Sequence, residues 1–213
     1  MSITIPDPGP ANVEFEQPAD AERLAHVAEA MSARGFLPQI AESGDHAREL
    51  VFELIPEGGE VHSALSETLS ELGISRIIEE SGRYDSVRER LNQLDRETQG
   101  REMRKLGAAP DHIVGSAHAI TDDGIILIGS GTGSQLGAYA YAAGNVVLVV
   151  GHQKLVRDLT EARRRLVEYS LPREFVRMQG FDYPGSLIGK TATLEADFGG
   201  RINVILVPET LGF

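Results

Sequence analysis

Seven consecutive residues, Gly129-Ser130-Gly131-Thr132-Gly133-Ser134-Gln135, are drawn only from Gly, Ser, Thr and Gln. The apolar Ile125-Ile126-Leu127-Ile128 comes before them and the largely apolar stretch 136–143 after, so the pattern predicts a buried strand, a loop and a helix. Such a loop presents backbone N–H groups and hydroxyls at a helix N-terminus, where an anion is favoured. Ser130, Gly131, Thr132, Gly133, Ser134 and Gln135 are therefore candidate ligand-binding residues. A tight strand-to-helix turn with small residues for packing accounts for the same composition, and both readings stand. Spacing removes two narrower ones. A G-x-G-x-x-G dinucleotide fingerprint needs a third glycine, but that position holds Ser134 counted from Gly129 and Leu136 counted from Gly131. Gly185-Ser186-Leu187-Ile188-Gly189-Lys190-Thr191 has three residues between its glycines where a P-loop has four.

Lys154 is the second candidate. It follows the most apolar strand of the chain, in Gly151-His152-Gln153-Lys154, and ligands of α/β sheets bind beyond the carboxyl ends of strands. A lysine there pairs with phosphate or carboxylate; a surface lysine ahead of a helix is the plainer reading. Lys154, Arg157, Arg163, Arg164 and Arg165 form a basic island that reads as a solvated helix face. The turn at Ser66, with Thr68 beside it, is the third candidate, since it ends a strand–loop–helix unit.

Other chemistries find little support. The six histidines, His26, His46, His62, His112, His118 and His152, lack the i, i+4 spacing of a helical metal pair, and no acidic cluster joins them. His62 and His152 lie near strand ends, yet structural roles suit all six. No G-x-S-x-G elbow is present. Asp122 and Asp123 are turn formers. Glu209 and Asp122 are the carboxylates placed near strand ends where a base would stand. No residue is assigned as catalytic, no metal is expected, and no cofactor is named.

The elements that must position these residues read as follows. Residues 1–18 carry Pro6, Pro8, Pro10 and Pro18 and predict an extended arm; residues 19–213 show no composition shift and form one α/β domain. Helices are expected over 20–34, 43–55 and from Ser66 to a stop at Gly73. A surface helix spans 85–106, broken near Gly100, and another starts at an Asp158/Glu161 capping box and ends at Pro172. Strands are expected over 36–41, 74–78, 111–114, 117–120, 145–150 and 201–207. Asp123-Gly124 predicts a two-residue hairpin. Residues 145–150 are β-branched and apolar on both faces, as a central strand covered on both sides requires. Alternating strands and helices around it give a three-layer α/β/α sandwich.

Composition bounds the function. The chain of 213 residues is 41% hydrophobic, 24% charged and carries a net charge of −12, which argues against general nucleic-acid binding. No stretch reaches the roughly 20 apolar residues of a membrane span, and no signal peptide is visible at the N-terminus. Cysteine is absent, which excludes disulfides, thiolate metal sites and a cysteine nucleophile and fits a cytoplasmic location.

Four segments occur in order: Ser66-Glu67-Thr68-Leu69-Ser70-Glu71-Leu72-Gly73; Ala119-Ile120-Thr121-Asp122-Asp123-Gly124; Val149-Val150-Gly151-His152-Gln153-Lys154-Leu155-Val156; and Val207-Pro208-Glu209-Thr210-Leu211-Gly212-Phe213. Together they resemble the lactate-utilisation (LUD) domain family, of the small lactate-utilisation protein C type, from about Asp20 to Phe213. The resemblance implies a fold like that of ribose-phosphate isomerase, glucosamine-phosphate deaminase and the CoA-transferases. It implies a part in oxidising L-lactate to pyruvate beside partners that carry iron–sulfur clusters, and it supplies no catalytic residue. The family commonly has an Asp-Gly-Thr-Gly-Asn-Arg-like loop where this chain has Gly129–Gln135, so a charged role is not carried over there. The expected function is thus a component without an iron–sulfur cluster, binding a small anionic or phosphorylated ligand through Ser66, Thr68, the 130–135 loop and Lys154. A stand-alone enzyme acting on a sugar phosphate, CoA ester or folate, and a binding module without catalysis, are the alternatives. Iron–sulfur subunits and a second copy of the chain are the expected protein partners; nucleic acid and membrane are not.

Overall fold

The computed structural model describes residues 4–213. The first three residues of the expected arm lie outside this range. In chain order the elements are α1 (Ala21–Ala33), β1 (Leu37–Ile40), α2 (Gly44–Glu53), β2 (Glu60–Ser63), α3 (Glu67–Glu71), α4 (Ile74–Glu80), β3 (Asp85–Ser86), α5 (Val87–Asn92) and α6 (Gly100–Ala108). They continue with β4 (His112–Gly115), β5 (Ala119–Thr121), β6 (Ile126–Ser130), β7 (Asn145–Gly151), β8 (Leu155–Val156), α7 (Leu159–Arg165), α8 (Leu171–Gln179), β9 (Lys190–Leu194) and β10 (Ile202–Val207). Among these residues no helix is long and apolar enough to cross a membrane.

Six strands form one parallel sheet in the order β1-β10-β7-β4-β2-β3. β7 lies inside it, between β10 and β4, as its two-faced apolar sequence requires. Val147 and Val149 face a core shared with Ala47 and Val51 of α2, Leu69 of α3, and Ile74 and Ile78 of α4. Val146, Leu148 and Val150 face the opposite core, shared with Leu24, Val27 and Met31 of α1. The result is a three-layer α/β/α sandwich.

On the α1 side the helical layer is shared with a small mixed sheet, β8-β5-β6-β9, that sequence reasoning did not separate from the main one. Ile120, Ile126 and Ile128 point into the main core, while Ala119, Leu127 and Val156 meet Ala162 and Leu166 behind. β5 and β6 form the expected hairpin, with a loop longer than two residues. The pair Thr121 and Ile125 closes three residues, with Gly124 in the left-handed region at φ +85°.

Several elements depart from expectation. Residues 74–78 form the start of α4, not a strand. Ile74 and Ile78 are buried four residues apart, a helical repeat, and Gly73 at φ +67° separates α4 from α3. The helix expected over 85–106 is two helices, interrupted over 93–99, and Gly100 begins the second. Lys190-Thr191, the end of the segment whose glycine spacing misses a P-loop, opens β9.

Pro172 does not end its helix. The chain runs from α7 through a π-helical turn, Leu166–Ser170, straight into α8. Pro172 has no N–H to give the carbonyl of Glu168 four residues back. That carbonyl instead accepts from the backbone N–H of Asn12 at 2.8 Å. The arm therefore folds onto this helix. Phe15 is buried, and Glu16 Oε1 accepts from Tyr169 Oη (3.2 Å) and Arg173 Nη1 (2.9 Å).

Candidate functional site

β2 and β4 are neighbours whose chains leave in opposite directions. After β2 the chain passes to α3 on one face, and after β4 to the small sheet on the other. In open α/β sheets this divergence opens a crevice beyond the carboxyl ends of the strands. Here the crevice is a cavity of about 270 Å³. Ala64–Glu67 after β2, Ser116–His118 after β4 and Lys154 after β7 bound it on the sheet side. The loop after β6, residues Ser170, Glu174 and Met178 of the π turn and α8, and Phe213 close the rest.

Lys154 is not a surface lysine. It is 1% exposed, held in a 3-10 turn over His152–Lys154. Its Nζ donates to Thr68 Oγ1 at 2.8 Å and Ser116 Oγ at 3.1 Å. Thr68 Oγ1 in turn donates to the carbonyl of Leu211 (3.2 Å), and Gln153 Nε2 donates to the same carbonyl (2.9 Å) and to that of Gly212 (3.1 Å). The chain after β10 thus folds back over this turn and fixes it. Burial, with the positive charge of Arg165, drives the Lys154 amine well below its usual range.

Arg165 is also buried, at 0% exposure. Its Nη1 donates to the carbonyl of His118 and to Ser170 Oγ, its Nε donates to the carbonyl of Gln153 (3.3 Å), and its guanidinium lies 4.9 Å from the centre of the Tyr169 ring. Its Nη2 has no hydrogen-bond partner. Burial lowers its pKa to about 10. The solvated-face reading of the basic island therefore holds for Arg157, Arg163 and Arg164, which are exposed, and fails for Lys154 and Arg165. Leu155, Ala162 and Leu166 around them are buried, and Leu159 is exposed.

Neither of these buried basic side chains is paired with a carboxylate among the described residues. Arg88 lines the cavity, donates to the carbonyl of Ser63 (2.6 Å), and its Nε is unpartnered. The lining carboxylates, Glu67 and Glu174, both face Arg177, at 3.9 and 2.7 Å. The lining histidines are neutral. Burial, then Lys154 and Arg165, push His118 down to about 3, and burial, then Arg88, pushes His62 to about 4. His118 Nδ1 accepts from the backbone N–H of Gly129 at 3.2 Å. An acidic protein therefore encloses a cavity with excess positive charge.

The glycine-and-hydroxyl loop lines the cavity with Ser130, Gly131, Thr132, Ser134 and Gln135. It turns part of its donor capacity inward. Gly133 N–H donates to Ser130 Oγ (2.8 Å), Ser130 Oγ donates to Gln135 Oε1 (3.0 Å), and Ser134 N–H donates to Thr132 Oγ1 (3.4 Å). The helix that follows, residues 136–142, is wound as a π helix over Ala138–Ala142. A helix this short adds little macrodipole.

Ser66 lines the cavity and sits at the N-cap of α3, but its side chain makes no capping bond. Thr68 is 1% exposed and reaches the site through Lys154. Gly133 stands behind the lining at φ +83°. The carboxylates considered as bases lie elsewhere. Glu209 Oε1 accepts from Gly44 N–H at 2.9 Å, and Asp122 pairs with Arg23 at 2.7 Å. His152 meets Thr210 Oγ1 (3.3 Å) outside the cavity. Among the described residues no three His, Asp or Glu side chains converge as a metal would need.

His118, Ser116, Arg88 and Arg165 were not anticipated. Arg165 alone had a local signal. It shares a helical face with Ala162, Leu166 and Tyr169, a face too apolar for a solvated arginine.

A family model described as the LUD domain matches residues 24–207. Among solved structures, a DUF162 family protein from Deinococcus radiodurans, determined at 1.70 Å, resembles the chain with a TM-score of 0.54. The likeness covers 89% of this chain and 99% of that one, at 11% identity, and speaks for the fold. No curated protein matches the chain.

Proposed function

The chain belongs to the LUD domain family, and on that premise we propose that it is the component without an iron–sulfur cluster in a cytoplasmic system that oxidises L-lactate to pyruvate. In this reading its cavity takes a small anion, a carboxylate or phosphate, at the strand ends. The observation that carries the proposal is a cavity lined by Arg88, whose Nε is buried and unpartnered, and by the buried Lys154, with the buried Arg165 behind it and no carboxylate paired with Lys154 or Arg165. Burying cations without a counter-charge is costly. An anion in the cavity supplies that charge, with Arg88 and the hydroxyl of Thr132 to receive it. A volume of about 270 Å³ lies at the small end for ligand cavities and suits a small anion better than a CoA ester or a folate. With no cysteine in the chain, cysteine-held clusters belong to partner proteins.

Two measurements test this. Thermal unfolding is followed with L-lactate, pyruvate, inorganic phosphate and a sugar phosphate. At least one should raise the midpoint, with about 2.7 kcal/mol of stabilisation at a hundredfold excess over Kd. A sugar phosphate acting alone would favour the stand-alone enzyme instead. In cells lacking this chain, growth on L-lactate should fail and return with the wild-type chain. Unimpaired growth sinks the lactate role, and a flat thermal response across the panel sinks the anion site.

A further inference from the structure

We propose that Lys154 is an amine nucleophile that forms an imine with the carbonyl of a 2-oxo acid held in the cavity. The inference rests on the anion-site reading and names its ligand class.

It comes from counting hydrogens at Nζ. Two oxygens stand within hydrogen-bond distance, Thr68 Oγ1 at 2.8 Å and Ser116 Oγ at 3.1 Å. Both hydroxyls commit their own protons elsewhere. Thr68 donates to the Leu211 carbonyl (3.2 Å) and Ser116 to the Ala117 carbonyl (3.3 Å). Each therefore acts only as an acceptor toward the nitrogen. An ammonium has three N–H bonds and would leave one without an acceptor; an amine has two and leaves a lone pair. The surroundings favour the amine, because Arg165 stands behind it and no carboxylate touches it. Lys154 is enclosed on all sides but the cavity that it lines. The lone pair is thus held where a ligand must enter. A desolvated lysine next to another cation is a recognised way of activating an amine toward carbonyls.

A 2-oxo acid fits both needs. Its carboxylate supplies the charge that the cavity's cations lack, and its carbonyl carbon accepts the lone pair. On addition the carbonyl π pair moves to oxygen, which takes the proton shed by nitrogen and gives a carbinolamine. The hydroxyl then leaves as water with the last nitrogen proton. One amine and one ketone give one imine and one water, with no change of oxidation state. L-Lactate, which has a hydroxyl in place of the carbonyl, is held by its charge alone. The site therefore distinguishes the oxidised acid from the reduced one.

The chain contains only three lysines, so the test has internal controls. Lys105 and Lys190 are exposed. The full-length chain is treated with pyruvate and sodium cyanoborohydride near neutral pH, and adducts are mapped by mass spectrometry. Among the lysines the expected result is one adduct, at Lys154, heavier by pyruvic acid less one oxygen. It should form on the order of tenfold or more faster than at the exposed Lys105 or Lys190. Lys154→Met and Lys154→Arg should each abolish it, and L-lactate should give none. Equal labelling of all three lysines, or labelling that survives Lys154→Met, overturns the proposal. If pyruvate raises the melting midpoint but Lys154 stays unmodified, the anion site stands and the imine falls. If pyruvate does neither while phosphate stabilises, the 2-oxo acid class falls with the imine. If no anion stabilises the chain, the pocket reading falls as well.

Discussion

The loop Gly129–Gln135 and the turn His152–Lys154 face the same cavity and meet their polar demands in opposite ways. The loop satisfies much of itself, with Ser130 accepting from Gly133 N–H and Thr132 from Ser134 N–H. The turn borrows everything: Lys154 depends on Thr68 after β2 and Ser116 after β4, and Gln153 on Leu211 and Gly212. Backbone with interleaved hydroxyls can close on itself because donors and acceptors lie two or three residues apart. A single amine at the end of four methylenes cannot. Unfinished chemistry therefore collects at the turn, although the loop is the more conspicuous in sequence.

His118 joins the two regions, since its Nδ1 serves the loop and its buried ring lies close to Lys154, and it gives the largest expected effect. His118 and His62 have folded pKa values lowered to about 3 and 4 from 6.5. As pH falls below 6.5 the unfolded chain takes up these protons first, so stability is complete above 6.5 and is lost toward the folded values. Each histidine should cost up to about 1.4 kcal/mol per pH unit in that window. Denaturant midpoints measured from pH 7 to 4 should show the slope, and His118→Asn should reduce it. An unchanged slope would detach His118 from both regions.

Next in size is Lys154→Met. It should remove the ligand-dependent rise in melting temperature, while ligand-free stability changes by no more than about 2 kcal/mol, because the two hydrogen bonds to Thr68 and Ser116 are exchanged for a buried apolar chain. A ligand-free loss above about 2 kcal/mol, read from urea unfolding, would make Lys154 a structural residue and erase the contrast. Gly133→Ala, at φ +83° and with a Cβ that would lie 2.5 Å from Lys190 Cδ, should cost about 1–2 kcal/mol and leave ligand affinity within roughly tenfold. A larger affinity loss would return the site to the loop. Smallest is Ser66→Ala. With no capping bond to lose, stability should move by less than about 0.5 kcal/mol in the same unfolding series.

The sandwich was legible where a local pattern determines burial. Residues 145–150 are apolar on both faces, Asp20 and Ser43 cap helices as their types suggest, and Asp158 accepts from Glu161 N–H at 2.9 Å. It was illegible where a short run fits two periods. Ile74, Ile77 and Ile78 read equally as strand or helix, and only packing against Val114 and Val149 decides. β8 has two residues and β9 is mostly exposed, so neither carries an apolar signal of its own. At the site, the loop's composition and the place of Lys154 after β7 could be read locally. The burial of Lys154 could not, because Thr68 lies 86 residues away and Ser116 lies 38.

The carbonyl of Glu168, left bare by Pro172 and filled by Asn12, bears on the order in which the molecule is assembled. Helix α7–α8 is local structure and can form as soon as its residues are available. Its last backbone bond, however, joins residues 156 apart in sequence, and such pairings close slowly. During synthesis the arm emerges first and must wait for the segment around Glu168 before it can dock. Residues made before the helix are thus placed after it. Because Leu166, Ser170, Leu171 and Glu174 of the helix it completes also wall the cavity, the cavity reaches its final form only at that late step.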